Sequence, residues 1–244
     1  MQTTSLDEII EFKKIIITGA SSGIGFEAAI DLAVKGHEVI AIARTKEKLQ
    51  NLNKIVKSLN PDAKLYPVVF DILNDDEEIL KAFVKQQFGT FNILINNAGT
   101  LLNKPFKELT ELDMADMFQS NFLSHFRMIQ ALIPQLQVNS HIVNVGSMGG
   151  FQGSSKFVGL AAYSASKAAL HNLTECLAQE LVDDKISVNC LALGSAQTEM
   201  LEKAFPGYQS PVQAFEMGKY LADFALNGHR FFNGKILPVA MSTP

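Results

Sequence analysis

Ile15-Ile16-Ile17-Thr18-Gly19-Ala20-Ser21-Ser22-Gly23-Ile24-Gly25 decides the fold. The β-branched run Ile15-Ile16-Ile17 predicts a strand buried on both faces. The Ala- and Ile-rich stretch after Gly23 predicts a helix. A strand that runs through a glycine turn straight into a helix is where parallel α/β sheets hold phosphates. Glycine permits the tight turn and the close backbone approach, and the helix's free N–H groups and positive dipole end favour an anion. The spacing is GxxxGxG, not the common GxGxxG. Thr18, Gly19, Ser21, Ser22, Gly23, Ile24 and Gly25 therefore form a candidate pyrophosphate cradle. A purely steric demand for glycine at the turn is the competing explanation.

Outward from this turn, apolar strand-like runs alternate with amphipathic helical segments along the chain. Strands are expected near 14–18, 37–43, 65–70, 91–96, 140–146, 186–192 and 235–239, and helices near 23–35, 45–58, 74–87, 111–135, 161–182 and 211–227. The pattern predicts an α/β fold, a doubly wound, seven-stranded parallel sheet with helices on both faces, Rossmann-like in kind. No linker, repeat or low-complexity stretch divides the chain, so 1–244 reads as one catalytic domain whose first residues, 1–12, form an N-terminal extension. Acidic Asp75-Asp76-Glu77-Glu78 suits the start of a helix, where negative charge complements the dipole.

With 21 basic and 25 acidic residues the formal net charge is 21 − 25 = −4, which gives nucleic acid no electrostatic footprint. The 17 phenylalanines sit at core-like helical spacing and suit packing better than base stacking. Cys176 and Cys190 lie outside any metal-spaced cluster and are expected to be small core residues in a reducing compartment. His37, His125, His141, His171 and His229 are scattered without ligand spacing and read as structural. The polar start lacks a signal-peptide pattern and no run reaches membrane-span length, so the expected location is cytoplasmic, with no membrane partner.

In doubly wound sheets ligands bind beyond the carboxyl ends of the strands. The second strand ends Ala41-Ile42-Ala43-Arg44. Ala43 stands where a carboxylate would accept bonds from the ribose 2′-hydroxyl of NAD, and Arg44 supplies a cationic fork suited to a 2′-phosphate. NADP is therefore expected over NAD, although an exposed arginine at a helix start is also common. Tyr163 and Lys167, at i and i+4, share one helix face, which brings an ammonium near a phenol. A phenol of pKa about 10 is a poor base at neutral pH without such a charge.

Other motifs converge on that pair. Thr18-Gly19-Ala20-Ser21-Ser22-Gly23-Ile24-Gly25, Asn96-Asn97-Ala98-Gly99, Asn121, Ser147 and Tyr163-Ser164-Ala165-Ser166-Lys167 stand in the order of the short-chain dehydrogenase/reductase family, which the chain resembles from Lys13 to Pro238. The resemblance implies a set of roles. Tyr163 would be the general acid/base, and Lys167 would lower the tyrosine's pKa and bind the nicotinamide ribose. Ser147 would polarise the substrate oxygen, and Asn121, inside the long helix, would support a water-linked proton relay to Lys167. Asp71 and Ile72 resemble the adenine-contacting pair, and Asn97, Ala98 and Gly99 lie where the chain passes the adenosine ribose. Thr198 resembles the carboxamide contact.

The resemblance further implies a small-molecule carbonyl or alcohol substrate, handled by a reductase of carbonyl or 3-oxoacyl-thioester type, and a homodimer or homotetramer built on the long helices. A non-catalytic NADP-binding redox sensor, or a dimeric structural partner, is the alternative.

The chain also departs from the family pattern. Leu193 replaces the proline usual before Gly194, which removes a fixed φ and loosens the turn. The stretch from Ser147 to Tyr163 is longer than usual and loop-like at 149–157, where Phe151 and Phe157 are possible substrate walls and Ser154 or Ser155 could compete with Ser147. Glu199 to Gln209 is short, which predicts an open site. The tail, Met241-Ser242-Thr243-Pro244, lacks the family's double glycine.

Overall fold

A computed structural model describes residues 12–241. The expected extension over 1–12 thus lies outside the described residues except for Phe12, as do Ser242, Thr243 and Pro244 of the tail. Seven strands form one sheet: β1 (Lys14–Thr18), β2 (Glu38–Ala43), β3 (Lys64–Val69), β4 (Phe91–Asn96), β5 (Leu136–Ser147), β6 (Ser187–Leu193) and β7 (Ile236–Val239). Their order is β3-β2-β1-β4-β5-β6-β7, and every pairing is parallel. The order reverses between β1 and β4, which opens a crevice at their carboxyl ends.

Period-two alternation assigns the side chains to two cores. Ile15 and Ile17 pack with α1 (Gly23–Val34), α2 (Lys46–Leu59) and α8 (Ala214–Asn227). Ile16 faces the other way, toward α3 (Glu77–Gln87), α5 (Ser124–Leu132) and α6 (Ala161–Glu180). Both faces of the strand are fully buried, which is why its sequence is continuously apolar. Asp76 caps α3 by accepting the Glu78 N–H, as the acidic run suggested.

Three expectations need correction. The helix expected over 111–135 is α4 (Glu111–Phe118), a π turn (Gln119–Leu123), α5 and a 3₁₀ turn (Ile133–Gln135). The wider turn falls on Asn121, and such turns frequently mark functional sites. Strand β5 begins at Leu136, four residues before the expected 140, because the ladder to β4 contains an irregularity between Phe91 and Ile93 that admits an exposed polar lead-in. The segment after Thr198 contains a short helix, α7 (Glu199–Ala204), which Thr198 caps by accepting the Leu201 N–H at 3.2 Å. Cys176 is also exposed, on α6, whereas Cys190 is buried as expected. Among the described residues no helix is long and apolar enough to cross a membrane.

Candidate active site

One cleft of about 720 Å³ runs along the carboxyl ends of the strands and gathers most of the predicted residues. Gly19, Ser21, Ser22, Gly23, Ile24, Arg44, Asp71, Ile72, Asn97, Ala98, Gly99, Asn121, Ser147, Tyr163, Lys167 and Thr198 all line it. Thr18 and Gly25 do not. Thr18 is fully buried, and its Oγ1 accepts the backbone N–H groups of Asn97 and Ala98, both at 3.1 Å. It positions the β4 turn instead of touching a cofactor. Gly25 is buried under Asn97: a Cβ there would collide with Nδ2, the atom that donates to the Thr18 and Gly19 carbonyls at 3.0 and 3.1 Å. The two strand-end turns are thereby laced together.

The turn after β1 suits a bound pyrophosphate. Ser22 at the N-cap of α1 is extended and makes no side-chain cap bond, and the first turn carries no acidic residue, so neither a side-chain cap nor a negative charge competes with an incoming anion. Gly19 has φ +69°, and a Cβ on it would meet Ala98 Cα at 2.7 Å. At the other end of this half, Asp71 folds back on its own turn, accepting from Leu73 N and Asn74 Nδ2 at 3.0 Å each. Burial alone would raise its pKa, but those bonds and the Arg44 charge hold it below the usual carboxylate range.

Ser147 ends β5, and its Oγ accepts the Gly149 N–H at 3.1 Å. The hydroxyl hydrogen is then left for the Tyr163 phenol, which lines the same cleft. Burial raises the phenol above its ordinary value and the nearby Ser147 hydroxyl opposes that rise. The expected depression by Lys167 is absent from this state. Lys167 is 4% exposed and its Nζ donates to the Val145 carbonyl at 2.7 Å. Burial lowers its pKa to about 8.

Asn121 is fixed by pairing with backbone. Its Oδ1 accepts from Thr100 N at 2.9 Å, and its Nδ2 donates to Thr100 O at 3.0 Å and to Ser166 Oγ at 3.1 Å. The π turn carries the side chain to this point, and His125 Nδ1 lies 3.3 Å from the Asn121 carbonyl. Ser154 is a staple, not a rival to Ser147: its Oγ donates to the Phe151 carbonyl at 2.9 Å. The turn loosened by Leu193 is tied by Ser195, whose Oγ lies 3.1 Å from Ser210 Oγ and 3.3 Å from Tyr208 Oη. The Gly194 N–H ties it to the last strand by donating to the Val239 carbonyl at 2.8 Å.

Helix α7 is held on one side by the Lys48–Glu199 ion pair at 2.8 Å, and on the other by Asn103 Nδ2 donating to the Ala204 carbonyl at 2.8 Å. His171, read as merely structural, stands directly behind Ser147. It lies on the same face of α6 as Tyr163 and Lys167, at positions i, i+4 and i+8, and that spacing was the signal for it.

A doubly wound parallel sheet with a glycine cradle at its switch point and a Ser-Tyr-Lys cluster beside it defines a dinucleotide-dependent oxidoreductase site. Residues 13–209 match the short chain dehydrogenase family, and the chain belongs to it. It is 34% identical over 198 residues to the 3-oxoacyl-[acyl-carrier-protein] reductase of Thermotoga maritima, covering 80% of this chain and 78% of that protein. It is 30% identical over 207 residues to an uncharacterized oxidoreductase of Staphylococcus epidermidis, covering 84% and 87%. Among solved structures, a short chain dehydrogenase from Burkholderia cenocepacia in complex with NADP superposes with a TM-score of 0.81 at 26% identity, over 95% of this chain and 97% of that one.

Proposed function

We propose that this oxidoreductase prefers NADP(H) and interconverts a ketone and a secondary alcohol through Tyr163, Lys167, Ser147 and Asn121. The observation that carries the reading is that one cleft gathers Ser147 from the end of β5, Asn121 from the π turn, and Tyr163 and Lys167 one helical turn apart on α6. When bound, the nicotinamide supplies or accepts the hydride. The chain's own residues handle the oxygen and its proton. Ser147 donates to the substrate oxygen, and Tyr163 passes its phenolic proton to that oxygen in reduction or withdraws one in oxidation. Lys167 retains N–H groups beyond the one on Val145, and these would hold the nicotinamide ribose when the cofactor is bound. Asn121, pinned to the Thr100 backbone and to Ser166, would support a water-linked proton relay to Lys167.

Arg44 lines the adenosine end with no carboxylate at Ala43, which supports NADP over NAD. Thr198 and the Asn97-Ala98-Gly99 turn complete the contacts. Exposed Leu112, Leu123 and Phe126 on the α4 to α5 run support a homo-oligomer, and two free thiols support a reducing, cytoplasmic location. The test is consumption of NADPH and NADH with a panel of ketones, diketones and acyl thioesters. NADPH consumption at several times the NADH rate is expected; binding of NADPH with no turnover across the panel would favour a sensor.

A further inference from the structure

Beyond the cofactor half of the cleft, three chain segments meet at its far end: 100–104 after β4, 148–160 between β5 and α6, and 199–208 around α7. Asn103 knots them together. Its Nδ2 donates to the Ala204 carbonyl, and the neighbouring Lys104 N–H donates to the Gly159 carbonyl at 2.9 Å. Gly159 has φ +86°, and a Cβ there would collide with Asn103 Oδ1, so the loop passes the asparagine too closely for any side chain. These contacts fix the shape of the far end.

What these segments present to the cleft is mainly apolar, with Thr100, Glu199 and Tyr208 as the polar side chains. Leu101 comes from the first, Met148, Phe157 and Leu160 from the second, and Leu201 and Phe205 from the third. The charged residues lining the cleft are Arg44, Asp71, Lys167 and Glu199. Arg44 and Asp71 belong to the adenosine end, Glu199 is paired with Lys48 of α2, and Lys167 is committed to the catalytic cluster. Cations near the rim are engaged as well: Lys104 with Asp113 at 2.7 Å, and Lys156 Nζ on the Phe151 carbonyl at 2.6 Å. Within the three segments the one charged side chain on the lining is the anion Glu199, so an anionic group placed against this wall would lose hydration without gaining a cation there, whereas each buried methylene would gain.

We infer that this chamber takes uncharged, lipophilic ketones and their secondary alcohols, and discriminates against carbonyl compounds that carry a carboxylate or phosphate into it. The inference rests on the oxidoreductase reading above and names its substrate class. Reduction of such a ketone consumes one hydride from NADPH and one proton through Tyr163, and yields the alcohol and NADP⁺.

The test uses the full chain with NADPH and compares 2-hexanone, 2-octanone and 2-decanone with 7-oxooctanoate, in which a carboxylate replaces the terminal methyl of 2-octanone. We expect kcat/KM to rise about fourfold per added methylene until the chamber fills, and 7-oxooctanoate to fall about tenfold or more below 2-octanone. Leu201→Arg, which places a cation in the wall, is expected to shift that ratio toward the carboxylate by about tenfold. No dependence on chain length, or a carboxylate used as well as 2-octanone, would overturn the inference. Calorimetric titration of the NADP⁺ complex with 2-octanol and 7-hydroxyoctanoate reads the chamber without turnover. Tighter binding of 2-octanol sustains the substrate class even if no ketone is reduced, in which case only the catalytic reading fails. Equal or tighter binding of the hydroxy acid overturns the class.

Discussion

His171 Nε2 accepts the backbone N–H of Ser147 at 3.4 Å. The imidazole occupies the space that a side chain on Gly146 would need, since a Cβ there would collide with Nε2. The imidazole thereby backs the end of β5 that carries the Ser147 hydroxyl. Burial, and then the Lys167 charge, lower its pKa to about 4, which keeps it neutral at physiological pH.

His171 is therefore a positioning residue for Ser147. His171→Leu fills the space without an acceptor and is expected to lower kcat by about tenfold to a hundredfold, with NADPH affinity within about twofold of wild type. His171→Gln places an oxygen near the position of Nε2 and is expected to recover most of that loss. Equal kcat in the leucine and glutamine variants would contradict the role.

Arg44→Asp tests the cofactor preference. Removing the cationic fork and supplying a carboxylate at the end of β2 is expected to weaken NADPH binding by roughly tenfold to a hundredfold and to strengthen NADH binding. Fluorescence titration of both nucleotides reads the ratio directly, and unchanged affinities would remove Arg44 from the site.

Acid stability follows from the buried histidines. Burial lowers His125 and His141 to about 3 each, with the Lys167 charge adding to the effect on His125. His141 Nδ1 donates to the Ala225 carbonyl at 2.9 Å, and its Nε2 accepts from Asn189 Nδ2 at 3.1 Å, an arrangement that protonation would break. Because the folded pKa values lie below the unfolded 6.5, the unfolded chain binds more protons between about 3 and 6.5. Stability is fully present above 6.5 and falls as the pH drops through that window. Each group contributes a slope of up to about 1.4 kcal/mol per pH unit. The thermal midpoint should fall between about pH 7 and pH 5; a flat profile would contradict the buried neutral state.

The parallel sheet and the Tyr163–Lys167 pair were legible because each rests on a strong local period. Strands such as Ile15-Ile16-Ile17, buried on both faces, are continuous apolar runs, and residues i and i+4 of a helix share a face whatever surrounds them. The π turn at Asn121 left no mark, since one widened turn does not interrupt the helical run of apolar residues around it. Helix α7 spans six residues, too few for a period to emerge. The inward turn of Thr18 and the strapping roles of Asn103 and His171 depend on contacts across more than 20 positions, which spacing within a single element does not encode.

Tyr163→Phe tests the central claim most directly, because it removes one hydroxyl and leaves the ring. With NADPH and a ketone that the wild type reduces, kcat is expected to fall by about 10² to 10⁴, while the dissociation constant for NADPH stays within about twofold. A phenylalanine variant that keeps more than about a tenth of wild-type turnover, well outside that range, would contradict Tyr163 as the proton donor.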